Sequence, residues 1–215
     1  MKIKQLLVVA GPSAVGKSLF LKRLTQQPSN ELGDQLALGS QRWQQVNARQ
    51  FDSDAPRPFA GASSDHIGLH YEITRTWKRP YDHAGDPGLK LLEFADKRIF
   101  VTLWAPANVL RDRLVRRDIS SWRRRLSGII ARWSAKPSAR KQSRRMDFSS
   151  LYREGASELD QIYQGWFRFC ADFSRDDHWL LDTSAANGRV RPLDHASLRS
   201  CHCVADLLRQ PSQAA

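Results

Sequence analysis

The stretch from Gly11 to Ser18 restricts the possible folds of this chain more than any other part of it. Its sequence, GPSAVGKS, fits the pattern G-x-x-x-x-G-K-[ST]. Residues 3–10 end in the apolar run LLVVA, which is typical of a buried parallel strand. Residues 18–27 place apolar side chains at helical spacing, and Pro28 marks the end of that helix. A strand, a glycine-containing loop and a helix in this order predict a parallel α/β fold.

The residue types in this stretch suit the binding of phosphate groups. Glycine lets the backbone wrap closely, so that its N–H groups point at an anion, and the following helix adds a positive field. In the P-loop that the pattern defines, the lysine reaches the β- and γ-phosphates and the hydroxyl residue ligates Mg²⁺. Lys17 and Ser18 hold those positions. The predicted ATP-binding residues are Gly11, Ser13, Ala14, Val15, Gly16, Lys17, Ser18 and Leu19.

Length and composition narrow the class of protein. A chain of 215 residues with 41% hydrophobic residues suits one soluble domain with a sizeable core. It has no apolar run of about eighteen residues, so we expect no membrane span. Met1 leads directly into the first strand, so we expect no signal peptide. Three cysteines suit a reducing cytoplasm, and Cys201-His202-Cys203 has no second pair at metal-ligand spacing.

A carboxylate is expected at the end of a strand beside the loop. Residues 66–73 alternate apolar and polar side chains, which predicts a strand, and Glu72 falls near its end. Enzymes with a P-loop place an acidic residue there to hold the Mg²⁺ shell or to polarise water. We therefore predict that Glu72 is catalytic and supports the metal, with Asp65 as the alternative. Asp52 and Asp54 could orient an acceptor hydroxyl, although a polar turn explains them better.

Two arginines follow the third predicted strand, residues 98–104. Residues 108–117 contain the pattern L-x-x-R-L-x-x-R, whose arginines are Arg113 and Arg117. A strand followed by this pattern resembles the small P-loop kinases of the gluconate, shikimate and nucleoside monophosphate kinase type. In those kinases the arginines grip the phosphates, so the resemblance implies that Arg113 and Arg117 are catalytic. The alternative for each arginine is a solvated basic helix face.

The resemblance does not extend to the acceptor. The loop sequence Gly-Pro-Ser-x-x-Gly-Lys-Ser is similar to that of guanylate kinases. The Ser, Thr, Arg and Tyr residues with which those enzymes grip the guanine nucleotide are absent here. The residues that follow the arginine pattern in gluconate-type kinases are absent as well. Neither family therefore identifies the acceptor.

Residues 118–147 form the most basic part of a chain whose formal net charge is +12. Between Arg116 and Arg145 there are eleven Lys or Arg residues and one acid, while apolar residues recur at helical spacing. This basic amphipathic segment could be a lid over the triphosphate, could lie on an anionic membrane, or could bind nucleic acid. Its position favours the lid, because the kinases that the chain resembles carry theirs between this helix and the next. The apolar stripe could instead pack on the body of the domain. Membrane contact stays open, and nucleic acid is the less favoured partner.

The end of the chain completes the expected fold. We predict a long helix over 151–173 with an aromatic core face, a last strand over 178–183 and a closing helix over 198–208. Residues 1–215 then form a single domain. Its expected fold is a three-layer α/β/α P-loop fold with a central, mostly parallel sheet and an inserted basic helical lid at 118–147.

These features predict an ATP-dependent phosphotransferase. It would move the γ-phosphoryl group to a small acidic acceptor, such as a nucleotide, a sugar phosphate or a glycan-linked compound. Lys17, Glu72, Arg113 and Arg117 would be catalytic, and Ser18 and Glu72 would hold Mg²⁺. The alternative is a non-catalytic or slowly hydrolysing nucleotide switch that docks on an anionic membrane or on nucleic acid through 119–145. We expect a cytoplasmic protein, with a peripheral contact at the inner face of the membrane left open.

Overall fold

The structure is a computed structural model that describes part of the chain. The described residues are 3–26, 33–34, 36, 38, 42–51, 65–76, 83–117, 151–152, 157–173, 175–184, 190–201 and 203–209. The predicted lid at 118–147 lies outside them, as do Asp52 and Asp54.

Among the described residues, six strands form one mostly parallel sheet, in the spatial order β2-β3-β1-β4-β5-β6. The strands are β1 (Ile3–Gly11), β2 (Gln44–Asn47), β3 (His66–Glu72), β4 (Ala95–Trp104), β5 (Asp177–Asp182) and β6 (Val190–Pro192). The first five are parallel, and β6 runs antiparallel to β5. The central strand β1 is buried from Leu6 to Gly11, as its continuous apolar run predicts.

The helices lie between β1 and β2, between β4 and β5, and after β6. They are α1 (Lys17–Gln26), α2 (residues 107–117), α3 (Glu158–Ala171), α4 (His195–Ser200) and α5 (Val204–Arg209). The part of the chain that the structure describes also has 3₁₀ segments. Ala48–Phe51 follows β2, Ile73–Thr76 follows β3, and Pro87–Phe94 precedes β4. None of these described helices combines the length and the apolar character needed to cross a bilayer.

The helices pack on both faces of the sheet. On one face, α1 approaches β3 so closely that a Cβ at Gly68 would lie 2.9 Å from Leu21 Cδ2. On the other face, the indole N–H of Trp166 in α3 donates to Thr102 Oγ1 at 2.8 Å. The same ring stacks on Tyr71 with 5.2 Å between centroids. Gly68 and Tyr71 point to opposite faces because side chains alternate along a strand. The molecule is therefore a mixed α/β protein, in agreement with the predicted fold class.

Two predictions for the end of the chain were wrong. The strand at 177–182 is not the last, because β6 pairs with it as an antiparallel edge strand of three residues, too short to show any alternation. The closing helix is two helices. Asp194 caps α4 by accepting a hydrogen bond from the Ser197 N–H at 2.7 Å, and the chain turns extended at Cys201.

The predicted long helix over 151–173 also has different bounds. Its regular part, α3, begins at Glu158 and ends at Ala171. Its aromatic side chains pack in the core, as predicted, with Tyr163 and Trp166 fully buried. At the other end of the chain, the second strand is Gln44–Asn47.

Candidate functional site

The Gly11–Ser18 segment, called the glycine loop from here on, joins β1 to α1 in a backbone shape that most residues avoid. Gly11, Ala14 and Gly16 have positive φ values of +152°, +63° and +109°. A Cβ at Gly11 would also lie 2.8 Å from the Leu103 carbonyl oxygen, whereas a Cβ at Gly16 would meet no atom within 4 Å. Gly11 is thus required for both conformation and space, and Gly16 for conformation alone.

Ala14 is the one non-glycine residue of the described chain with positive φ, at +63°. We expect Ala14→Gly to raise the free energy of unfolding by about 0.5–1 kcal/mol, because an L side chain is disfavoured in the left-handed region. Urea unfolding measures the change. Ala105→Gly, at a buried position with ordinary φ, is the control and should lower the stability by about 1 kcal/mol. A loss of stability in both variants would contradict this account of Ala14.

Lys17 lies inside the glycine loop. Its side chain is 4% exposed, and its ammonium group donates hydrogen bonds to the carbonyl oxygens of Gly11 at 2.8 Å and Pro12 at 2.6 Å. Burial lowers the pKa of Lys17 to about 8; the charge of Glu72 acts in the opposite direction, and those of Arg49 and Arg117 add to the lowering. Three positive groups therefore lie near one another at this end of the sheet, an arrangement that suits a polyanion.

Glu72 lies beside the loop, as predicted. The register of β1 and β3 pairs it with Gly11, since the carboxyl ends of parallel strands meet at one edge of a sheet. Its Oε1 accepts hydrogen bonds from the hydroxyl groups of Ser13 and Thr74, the latter at 2.8 Å. Its Oε2 accepts one from Arg49 at 3.2 Å.

The protonation state of Glu72 follows from these contacts. Burial would raise the pKa of this carboxyl, but the charge of Lys17 and the hydrogen bonds from Ser13 and Thr74 outweigh burial and lower it. Glu72 is therefore a carboxylate at neutral pH, with one oxygen held by two hydroxyl groups and the other paired with an arginine.

Asp65, the alternative to Glu72, was wrong. It lies just before β3, at the opposite end of that strand, where its carboxylate pairs with Lys4 at 2.8 Å. Seven residue steps of extended chain, roughly 20 Å, separate it from Glu72. The direction of the strand excludes Asp65 from the edge where the glycine loop lies.

The structure separates the two arginines of α2. The guanidinium of Arg113 donates to Thr183 at both its Oγ1, at 3.1 Å, and its carbonyl oxygen. Thr183 in turn donates from Oγ1 to the Trp104 carbonyl oxygen at 3.0 Å. Arg113 thus ties α2 to the ends of β4 and β5, whereas Arg117, one helical turn later, contributes its charge near Lys17.

Several residues near the loop were missed in the sequence. Arg49 and Thr74 each lie two residues past a strand end, where a short strand and a polar turn offered no distinctive pattern. Tyr152 is fully buried near Glu72. Burial raises the pKa of the Tyr152 hydroxyl group, and the negative charge of Glu72 raises it further. Burial, with the charge of Lys17 next, lowers the pKa of His70 to about 4. His70 is therefore neutral at neutral pH.

The donor atoms near the loop fit magnesium held together with phosphate. Among the described residues, no group of three His, Cys, Asp or Glu side chains forms a metal site of its own. The Ser18 hydroxyl is exposed at the start of α1, and the Glu72 carboxylate lies near the loop. These are the oxygen donors that Mg²⁺ prefers, and in nucleotide sites phosphate oxygens supply further ligands.

Comparisons of the chain with protein-family models, with curated proteins and with solved structures find no match. An α/β fold by itself hosts many unrelated activities. The function must therefore be inferred from the geometry and charge of the site.

Proposed function

We propose that this protein is an ATP-dependent phosphotransferase with a P-loop, acting on a hydroxyl group of a small anionic acceptor. The observation that carries the proposal is the glycine loop: positive φ at residues 11, 14 and 16, with the Lys17 ammonium inside it. A loop of this conformation before a helix presents backbone N–H groups to a phosphate. Lys17, now bonded to two carbonyl oxygens, exchanges them for the stronger charge of the β- and γ-phosphates.

The neighbouring residues supply the other parts that phosphoryl transfer needs. Arg117 adds positive charge near Lys17, where charge develops during transfer. Ser18 would hold Mg²⁺, which when bound neutralises charge on the phosphate oxygens. Glu72 Oε2, the oxygen that carries no hydroxyl donor, accepts the hydrogen bond of the acceptor hydroxyl. A carboxylate fixed next to the loop favours a transferase over a switch that only binds nucleotide.

The two arginines of α2 provide a test of these roles. We expect Arg117→Ala to weaken ATP binding about tenfold with little change in stability, since its side chain is exposed and its charge lies near Lys17. Arg113→Ala should instead lower the free energy of unfolding by about 1–3 kcal/mol, because Thr183 loses its donor. Calorimetric titration with a non-hydrolysable ATP analogue and urea unfolding measure both effects. If Arg113→Ala instead weakened ATP binding and Arg117→Ala lowered the stability, Arg113 would be the phosphate-binding residue and Arg117 the structural one.

A phosphoryl-transfer screen tests the function itself. Fractionated metabolite pools are incubated with the protein and γ-labelled ATP, and Lys17→Met serves as the inactive control. We expect label to appear in an anionic acceptor with the wild type alone. If no pool accepts label, while deletion of 119–145 abolishes binding to liposomes or nucleic acid, the transferase is refuted in favour of the nucleotide switch.

A further inference from the structure

We infer that Arg49 blocks Glu72 Oε2 until an anionic group of the acceptor draws the guanidinium away. This ion pair between Arg49 and Glu72 is called the gate from here on. The favoured acceptor then carries both a hydroxyl group and a phosphate or carboxylate group. The inference rests on the proposed function, because it assigns the acceptor side of the same site. It is based on two contrasts. The two carboxylate oxygens of Glu72 have different partners, and the backbone of Arg49 is fixed while its side chain is exposed.

The two oxygens of Glu72 have different partners. Oε1 accepts hydrogen bonds from Ser13, in the glycine loop, and from Thr74, in the turn after β3. Oε2 is bonded to the guanidinium of Arg49. With Arg49 in place, the Glu72 side chain is 10% exposed, so little of the carboxylate is open to a ligand. The hydroxyl groups on Oε1 hold the carboxylate in place whether or not Arg49 is paired.

Arg49 is anchored at its backbone and exposed at its tip. Its N–H donates to Asn47 Oδ1 at 3.0 Å, and the preceding residue, Ala48, is 1% exposed. Ala48 packs so tightly on Gly88 that a Cβ added at Gly88 would lie 2.8 Å from its own Cβ. The Arg49 side chain, in contrast, is 65% exposed. The guanidinium can therefore change partner without any change in the backbone.

A phosphate group is a stronger partner for Arg49 than Glu72 is. The ion pair between Arg49 and Glu72 is open to solvent on the arginine side, so water and salt weaken it. It is made through a single nitrogen, Nη2. A phosphate or carboxylate on a ligand can take two N–H groups of the guanidinium in parallel. An anionic acceptor therefore draws Arg49 away and releases Glu72 Oε2.

The position of Arg49 in the sheet agrees with an acceptor role. Arg49 follows β2, which lies on the far side of β3 from β1 and the glycine loop. Glu72, at the end of β3, lies between the two. The donor phosphates at the loop and the anionic group at Arg49 would thus flank the carboxylate, which leaves the acceptor hydroxyl next to Glu72.

Release of Oε2 allows transfer. The acceptor hydroxyl donates its hydrogen bond to Glu72 Oε2, and its oxygen forms the new bond to the γ-phosphorus of ATP. The bond from that phosphorus to the β–γ bridging oxygen breaks, and ADP leaves with the electron pair. The hydroxyl proton passes to Glu72 and then to water. With Arg49 on Oε2, water cannot take the place of the acceptor, so wasteful hydrolysis stays slow.

The test measures ATP hydrolysis without acceptor in the wild type, in Arg49→Ala and in Arg23→Ala. The last of these removes an exposed arginine of α1 and controls for net charge. We expect Arg49→Ala to raise the rate of ATP hydrolysis about threefold to tenfold. Adding Glu72→Gln to Arg49→Ala should remove this increase. Inorganic phosphate or acetate, each compared with sodium chloride at equal ionic strength, should stimulate the wild type but not Arg49→Ala. The two anions distinguish a phosphate from a carboxylate preference. Unchanged or slower hydrolysis in Arg49→Ala overturns the gate.

Binding measurements keep this result separate from failure of the proposed function. A non-hydrolysable ATP analogue with Mg²⁺ should bind the wild type; if it does not, the proposed function is wrong. Phosphate is then titrated into the analogue-loaded protein, or into Lys17→Met, and should bind about tenfold more weakly when Arg49 is alanine. The gate is refuted if phosphate binds equally well with arginine or with alanine at position 49. It is also refuted if phosphate affinity depends on Arg49 but hydrolysis does not change.

Discussion

Replacement of Lys17 by methionine is expected to abolish nucleotide binding and, at the same time, to make the protein more stable. The phosphate groups of the nucleotide would lose two charge-assisted hydrogen bonds from Lys17, which weakens nucleotide binding about 100-fold or more. The stability gain arises because Lys17 is 4% exposed and burial lowers its pKa from 10.5 to about 8. Folding therefore disfavours the ammonium form by up to about 3 kcal/mol.

The gain in stability should depend on pH in a defined direction. The folded-state pKa of Lys17 lies below the unfolded value, so the cost is full below about pH 8 and fades as the pH rises towards 10.5. The carbonyl oxygens of Gly11 and Pro12 lose their donor in Lys17→Met, which offsets part of the gain. We expect a net increase of about 1–2 kcal/mol at pH 7 and a smaller one at pH 10.

Urea unfolding of the wild type and Lys17→Met at both pH values measures this difference. Lys90→Met, an exposed lysine before β4, is the matched control and should change neither stability nor nucleotide affinity. A uniform loss of stability in Lys17→Met would mean that the ammonium group holds the loop together. In that case Lys17 would stabilise the loop, and the predicted gain in stability would be wrong.

Replacement of Gly11 by alanine is expected to lower the free energy of unfolding by about 2–4 kcal/mol and to remove ATP binding. Two costs add at this residue. Its φ of +152° is unfavourable for any side chain, and the new Cβ would lie 2.8 Å from the Leu103 carbonyl oxygen and from Val15 Cγ1. The first of these is backbone of β4, inside the sheet, and cannot move aside cheaply.

Gly16→Ala separates the two costs. The φ of Gly16 is +109°, but its added Cβ would meet nothing within 4 Å, so the expected loss is about 1–2 kcal/mol. Urea unfolding compares the two variants, and titration with the ATP analogue shows whether the loop still binds. Equal losses of stability would show that close contact with β4 contributes nothing at Gly11.

Much of the fold was predictable from local pattern. The buried run before Gly11, the helix after it and the strand that ends at Glu72 are all present at nearly the expected bounds. Asp86 caps the segment before β4 by accepting the Gly88 N–H at 2.7 Å, and Pro87 follows it at the first position of that segment. These features depend on residues close together in the chain, so sequence neighbours decide them.

The surroundings of Glu72 were not predictable in this way. Arg49 and Ser13 reach it from other segments, because β2 and β1 lie on either side of β3 in the sheet. The same holds for Arg113, whose partner Thr183 is distant in sequence and close only because β4 and β5 are neighbours. Strand order brings such pairs together, and no local pattern encodes strand order.

The sequence alone was enough for the glycine loop, for Lys17 inside it and for a carboxylate at the end of a parallel strand. Spacing and residue type specify these features, since a left-handed backbone needs glycine and a buried parallel strand needs a continuous apolar run. The tertiary structure decided which carboxylate that is and what surrounds it. It excluded Asp65 by the direction of β3, bonded Arg113 to Thr183 and placed Arg49 on Glu72. The reason is physical: each of these outcomes depends on contacts between segments that only the packed sheet brings together.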